Sequence, residues 1–203
     1  IKSEDYKKHN LNDYDVIFFR PDPPVDNDYI NATYILSYVD KNKTLPMTAA
    51  PSITDFTDFF NKHAENGETV IHISISAEFS SSYQHAVIAA EDIGSNVYVI
   101  DSRNLSTGVG HIVRQAVNMV QDGISADIIV DALKNLVEKV DASFIIDRLD
   151  YMVKGGRCSA VAALGANLLK IKPCIEVKNG KMTVCKKYRG NLSDVLKKYI
   201  DER

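Results

Sequence analysis

The residues with the clearest chemical potential in this sequence are hydroxyls. Thr48 stands in Leu45-Pro-Met-Thr-Ala-Ala-Pro-Ser52, and Ser80, Ser81 and Ser82 form an unbroken run between a β-branched segment and a helical one. Both sets fall at the carboxyl ends of elements in what reads as an α/β sheet, the edge at which such sheets bind ligands. Hydroxyls joined by the backbone N–H groups of a helix N-terminus can hold a carboxylate without a full counter-charge. The same side chains would also serve as plain helix caps, and residue type alone favours that use.

Other residue types point away from catalysis. The five histidines, His9, His63, His72, His85 and His111, show no His-Glu-x-x-His or other paired metal spacing. No Gly-x-Ser-x-Gly elbow and no phosphate-binding Gly-x-x-x-x-Gly-Lys-Ser/Thr loop occurs. Gly108-Val109-Gly110 lacks the third glycine of a dinucleotide fingerprint and lies among helix-like residues. No nucleophile and base can be paired, so no catalytic residue, metal ligand or cofactor is assigned. His72, inside a strand-like run, is read as a packed or surface residue and not as a ligand.

The elements that must position the hydroxyls follow from periodicity. Residues 14–20 hold the apolar run Val16-Ile-Phe-Phe19, closed by Arg20-Pro-Asp-Pro-Pro24, which predicts a strand and a stiff loop. Residues 29–38 read as a helix. Ser52-x-x-Asp55 imitates a capping box for a helix carrying Phe56, Phe59, Phe60 and His63 on one face and ending at Asn66-Gly67. Residues 70–76 alternate as a strand, 83–91 have helical spacing, and 96–102 are again β-rich, a βαβ unit that predicts a parallel sheet. Helices follow over 106–121 and 125–140, and a strand over 142–147 continues the alternation. Beyond it come a short helix ending at Gly155-Gly156 and an alanine-rich helix over 159–170. Two strand-like runs then flank Asn179-Gly180, the strongest short hairpin signal, before a last helix over 191–203.

Composition bounds the function. The chain has 203 residues, 45% of them hydrophobic and 25% charged, ordinary for a globular protein. Twenty-four basic against 27 acidic residues leave a net charge of −3 with no long block of one sign, which argues against a nucleic-acid partner. No stretch approaches the ~20 apolar residues of a membrane span. The three cysteines, Cys158, Cys174 and Cys185, suit neither a disulfide framework nor a zinc site, and read as reduced, packed and cytoplasmic. The chain opens at Ile1 and reaches Arg203 inside an amphipathic pattern, so it is expected to be a fragment.

Several motifs together carry a family resemblance. Leu45-Pro-Met-Thr-Ala-Ala-Pro-Ser52, His72-Ile-Ser-Ile-Ser76, Phe79-Ser-Ser-Ser-Tyr-Gln84, Val97-Tyr-Val-Ile-Asp-Ser102, Lys154-Gly-Gly-Arg157 and Asn167-Leu-Leu-Lys-Ile-Lys-Pro173 resemble, in order and spacing, the DegV family of bacterial fatty-acid-binding proteins. The resemblance covers about residues 38–203. It implies an α/β fold, a DegV-like parallel sheet flanked by helices with a C-terminal β-hairpin plus helix, incomplete relative to the family. It also implies a non-enzymatic role: binding a long-chain fatty acid and presenting its carboxylate to a fatty acid kinase subunit for acyl phosphate formation. By position, Thr48 and Ser80 would hold the carboxylate, with Ser81 and Ser82 beside them in place of the family's frequent Gly-Thr. Arg157 would meet the kinase, or is a helix-flanking surface arginine. Burial of about fifteen methylenes at ~0.8 kcal/mol each offers on the order of 12 kcal/mol before binding costs. The small residues Ala160, Ala162, Ala163, Gly165 and Ala166 could leave room for the tail, although close helix packing is their commoner use.

Two departures accompany the resemblance. The family's opening Asp-Ser/Thr strand and its closing α/β segment, which brings a histidine to the carboxylate, are not found. Residues 11–36 are instead similar to a short piece of bacterial glutathione synthetase, an ATP-grasp ligase. The chain is therefore divided into residues 1–42 and a lipid-binding region over 43–203, as in a chimera joined near 37–42. Two alternatives stand beside lipid binding: a scaffold whose groove retains no lipid, and an ATP-grasp ligase fragment.

Overall fold

The computed structural model describes residues 16–19, 45–94, 96–148 and 171–203. The chain separates into two units, Ile1–Pro51 and Ser52–Arg203. In the first, β1 (Val16–Phe19) pairs in parallel with β2 (Leu45–Thr48), Val16 opposite Leu45 and Phe19 opposite Thr48. The β1 strand follows from its β-branched and aromatic run. The β2 strand has no such signature, since its Pro46 lacks a ladder donor.

The second unit begins with helix α1 (Ile53–Ala64), held by the capping box read in the sequence. The Asp55 N–H donates to Ser52 Oγ at 3.2 Å, and the Ser52 N–H donates to Asp55 Oδ2 at 2.6 Å. Strand β3 (Val70–Ser74), helix α2 (Ser82–Ile93) and strand β4 (Val97–Asp101) form the expected βαβ unit. The two strands run parallel, from Val70 opposite Val97 to Ser74 opposite Asp101. Alternation along them separates two cores, because successive side chains of a strand point to opposite faces. Ile71, Ile73, Tyr98 and Ile100 pack with α3 (Thr107–Gln121) and α4 (Ala126–Val137), where Ile112, Ile129 and Leu133 are fully buried. Val70, Val97 and Val99 pack on the other side with Phe56, Phe60, Ala86 and Ala89 of α1 and α2. Helices thus cover both faces of the pair.

The parallel alternation stops at β5 (Ala142–Ile145). This strand pairs antiparallel with β6 (Ile171–Lys178), which forms a hairpin with β7 (Lys181–Arg189). The expected extension of the parallel sheet is corrected here: β5 belongs to a separate three-stranded antiparallel sheet. At the hairpin turn Asn179 and Gly180 have φ of 53° and 77°, the left-handed pair that a two-residue turn requires. Helix α5 (Leu192–Asp201), capped by the Asn191 side chain, closes on this sheet through Val195, which packs with Cys174 and Tyr188. The helices expected over 29–38, before Gly155-Gly156 and over 159–170, with the small-residue run of the last, lie outside the described residues. No helix among the described residues is long and apolar enough to cross a membrane.

His72 lies on the α1 side of β3, its ring edge-on to Phe56 at 5.2 Å and to Phe60 at 5.7 Å between centroids. Its Nε2 is buried without a hydrogen-bond partner, as is the Ser74 hydroxyl two residues on. Burial lowers the imidazole pKa from 6.5 to about 4. Between those values the unfolded chain binds a proton that the folded chain refuses, so stability is complete above pH 6.5 and is lost as pH falls toward 4. At about 1.4 kcal/mol per unit the loss is ~3 kcal/mol. Urea unfolding as a function of pH should show this slope in the parent and a flatter profile in His72→Leu.

Candidate functional site

The loop from β3 and the first residue of α2 carry three of the four hydroxyls singled out in the sequence, and the loop's shape is set by buried polar groups. Ser76 is fully buried, and its N–H donates to the Asn104 carbonyl at 2.9 Å. Its hydroxyl donates to the Gly180 carbonyl at 2.8 Å, tying the loop to the hairpin turn 104 residues away. The Glu78 N–H returns to Ser76 Oγ at 3.3 Å, and the Phe79 N–H to the Ser76 carbonyl at 2.9 Å, which closes a tight turn. Outside it, Lys181 Nζ stands 3.3 Å from Glu78 Oε2.

The end of β4 is fixed in the same way. Asp101 accepts from the Arg103 N–H at 2.8 Å and the Ala77 N–H at 3.3 Å. The Asn104 amide donates to the Val140 carbonyl at 3.1 Å, while its oxygen accepts the Leu105 N–H at 3.1 Å. A Cβ on Gly108 would stand 2.1 Å from that oxygen, so glycine is needed at this point of α3. A buried polar group left unpaired costs free energy, so a network satisfied at this many points holds one arrangement.

On this base stand the serines. Ser80 and Ser82 bring their hydroxyls within 2.8 Å, and the Ser82 N–H donates to Ser80 Oγ at 3.1 Å. One hydroxyl proton is used between the two oxygens; the other remains free to donate. The pair sits at the first turn of α2, where backbone N–H groups lack intrahelical partners and the helix dipole favours an anion. Ser81 is exposed and makes no side-chain cap bond, so only part of the run serves as a cap. Thr48 ends β2, opposite Phe19, in the first unit. Arg157 lies outside the described residues. Sequence reasoning missed Ser76, Asn104 and the contact with Gly180, because no local pattern announces a bond across 104 residues.

A cavity of about 730 Å³ lies elsewhere in the second unit, lined by His111, Lys139, Glu176, Tyr199 and Arg203 among others, and by none of Ser80, Ser81 and Ser82. Its wall mixes these charged groups with the apolar side chains of Leu136, Val140, Ala142 and Val177. No group of three or more metal-ligating side chains occurs among the described residues.

Comparison with known proteins decides the family. The model of the family described as uncharacterised proteins of the DegV family matches residues 25–201. The chain belongs to the DegV family. A DegV domain-containing protein of Clostridium acetobutylicum is 35% identical over 163 residues, 80% of this chain and 58% of the relative. A Thermotoga maritima protein, whose structure is described as revealing fatty acid binding function, superposes with a TM-score of 0.63 at 28% identity, covering 76% of this chain and 54% of that one. A DegV protein from Thermus thermophilus gives a TM-score of 0.71 at 23% identity over 93% of this chain and 78% of that one, a likeness of fold. This DegV chain spans about six-tenths of the length of the curated relatives it matches. The DegV match starts inside the segment read as similar to glutathione synthetase, and the comparisons give that ligase likeness, and a chimera, no support.

The docked turn makes a measurable difference between two glycines of this DegV chain. Gly123 and Gly180 have nearly equal positive φ, 74° and 77°. A Cβ at Gly123 meets nothing within 4 Å, whereas one at Gly180 would stand 2.8 Å from Ser76 Oγ. Chemical denaturation should show Gly123→Ala losing about 1 kcal/mol from backbone conformation alone. Gly180→Ala should lose at least about 1 kcal/mol more as the Ser76 bond is displaced. Equal losses would mean that the turn is not seated on Ser76.

Proposed function

We propose that this DegV chain binds a long-chain fatty acid and presents its carboxylate to a kinase subunit that forms the acyl phosphate. The observation that carries this proposal is the Ser80–Ser82 hydroxyl pair, locked at 2.8 Å at the start of α2 with one O–H free to donate. In this scheme Ser80 and Thr48 supply hydrogen bonds to the carboxylate, Ser81 and Ser82 complete the anion-binding turn, and Arg157 meets the kinase. The lipid-binding region is assigned to residues 43–203, with 1–42 preceding it, in a cytoplasmic setting. Support also comes from the solved Thermotoga maritima relative described by its fatty acid binding function. The chain itself supplies no catalytic group here: the phosphoryl chemistry belongs to the partner.

The division of labour is physical. Methylenes removed from water provide most of the affinity, in no fixed direction. Hydroxyls provide orientation, because each hydrogen bond to a charged group is directional and worth about 1.5–3 kcal/mol. A carboxylate held by neutral donors keeps its negative charge and nucleophilic oxygens, as acyl phosphate formation requires.

Extraction of the purified chain and mass spectrometry of the extract should yield a fatty acid at near-equimolar amount, with no ATP hydrolysis by the chain alone. Displacement titration with palmitate should show Ser80→Ala and Thr48→Val each weakening binding about 10- to 100-fold with the fold preserved by circular dichroism. Absence of both copurified lipid and palmitate binding would leave a scaffold, unchanged palmitate binding in both variants would remove Ser80 and Thr48 from the site, and ATP turnover would favour the ligase alternative.

A further inference from the structure

The β6–β7 hairpin places two cysteines face to face. From the turn outward the pairs are Lys178 with Lys181, Val177 with Met182, Glu176 with Thr183 and Ile175 with Val184. The next pair in that register would be Cys174 with Cys185. At this point the ladder shifts, and Cys174 pairs with Lys186. In such a bulge two residues of one strand oppose a single residue of the other, so Cys185 and Lys186 both stand opposite Cys174. The Cys185 thiol donates to the Cys174 carbonyl at 3.4 Å. Directly opposed Cα atoms of antiparallel strands are about 4.5–5.5 Å apart, inside the 4.4–6.8 Å that a disulfide spans.

The surroundings give the two thiols different roles. Cys185 is exposed, while Cys174 is 1% exposed and packs with Tyr188 and Val195. Both line a cavity of about 480 Å³ with Lys186, Tyr188, Glu202 and Arg203, which gives a small solute access to them. Burial first, and then the Cys185 thiol beside it, push the Cys174 pKa up to about 11, while the Arg203 guanidinium acts in the opposite sense. Cys174 therefore stays protonated until a neighbouring sulfur calls on it, with a cation at hand to stabilise its thiolate.

We propose that Cys174 and Cys185 form a peroxide-responsive dithiol that closes to an intrachain disulfide across the β6–β7 bulge. The exposed Cys185 thiolate attacks one oxygen of hydrogen peroxide, the O–O bond breaks, and hydroxide leaves as water with the proton the thiol released. The Cys174 thiolate then attacks the Cys185 sulfur of the resulting sulfenic acid, the S–O bond breaks, and a second water departs with the Cys174 proton. Two thiols and one hydrogen peroxide give one disulfide and two waters.

The test uses the full chain carrying Cys158→Ser, reduced, treated with hydrogen peroxide, alkylated and digested with trypsin without reductant. The expected product is peptide 171–178 joined to peptide 182–186, two hydrogens lighter than their sum, released by dithiothreitol and absent in Cys185→Ser. In Cys174→Ser, and in Cys174→Ala in case the first variant folds poorly, dimedone should trap sulfenic acid on Cys185 several-fold more than in the protein that keeps Cys174. Cys185 oxidised without linkage, or equal dimedone labelling with and without Cys174, would overturn the proposal.

Discussion

The Ser76 hydroxyl is the joint on which the second unit turns. A fully buried hydroxyl must find partners inside the protein, and this one donates to the Gly180 carbonyl while accepting the Glu78 N–H. One side chain thereby connects the carboxyl end of a parallel strand, the tight turn after it and the tip of an antiparallel hairpin. Asn104 repeats the device at the end of β4, bonding the Val140 carbonyl that leads into β5. The two sheets differ in strand direction and share no ladder, so contacts of this kind stand in for the backbone bonds that would otherwise join them.

That joint explains why the serines come next. A hydroxyl is a useful anion donor only if its position is settled before the anion arrives; otherwise each bond gained is offset by the entropy of ordering the loop. Here the residues just before Ser80 are fixed by the turn at Ser76, and those just after it by helix α2. The bond between Ser80 and Ser82 then removes rotational freedom from both side chains. The polar contacts lie at the ends of strands, whereas β3 and β4 themselves are lined on both faces by apolar cores.

Much of the fold was legible in the sequence, for local reasons. Ser52 and Asp55 formed their capping box because both partners lie within one turn, and Asn179-Gly180 formed its hairpin because few other pairs accept two positive φ values. The strand was visible as alternation in Val-Ile-His-Ile-Ser, whereas the second core on its other face was not. What could not be read was long-range. β5 looks like another parallel strand until its partner is known, and β2 owes its pairing to β1 and not to its own residues. The hydroxyls of Ser80 to Ser82 were visible as residue types; that Ser80 and Ser82 form the pair while Ser81 faces outward depends on where the helix begins. The turn brings Cys174 and Cys185 near each other, but the bulge that sets both Cys185 and Lys186 opposite Cys174 leaves no mark in the sequence.

The most direct test of the account is amide chemical-shift mapping during titration of the labelled chain with palmitate. If neutral hydroxyls at the start of α2 grip the headgroup, the largest shifts fall on Ser80, Ser81, Ser82 and residues 48–50, while the amides around His111 and Tyr199 barely move. Shifts centred on the charged cavity at His111 and Tyr199, with the serine amides unmoved, would contradict it.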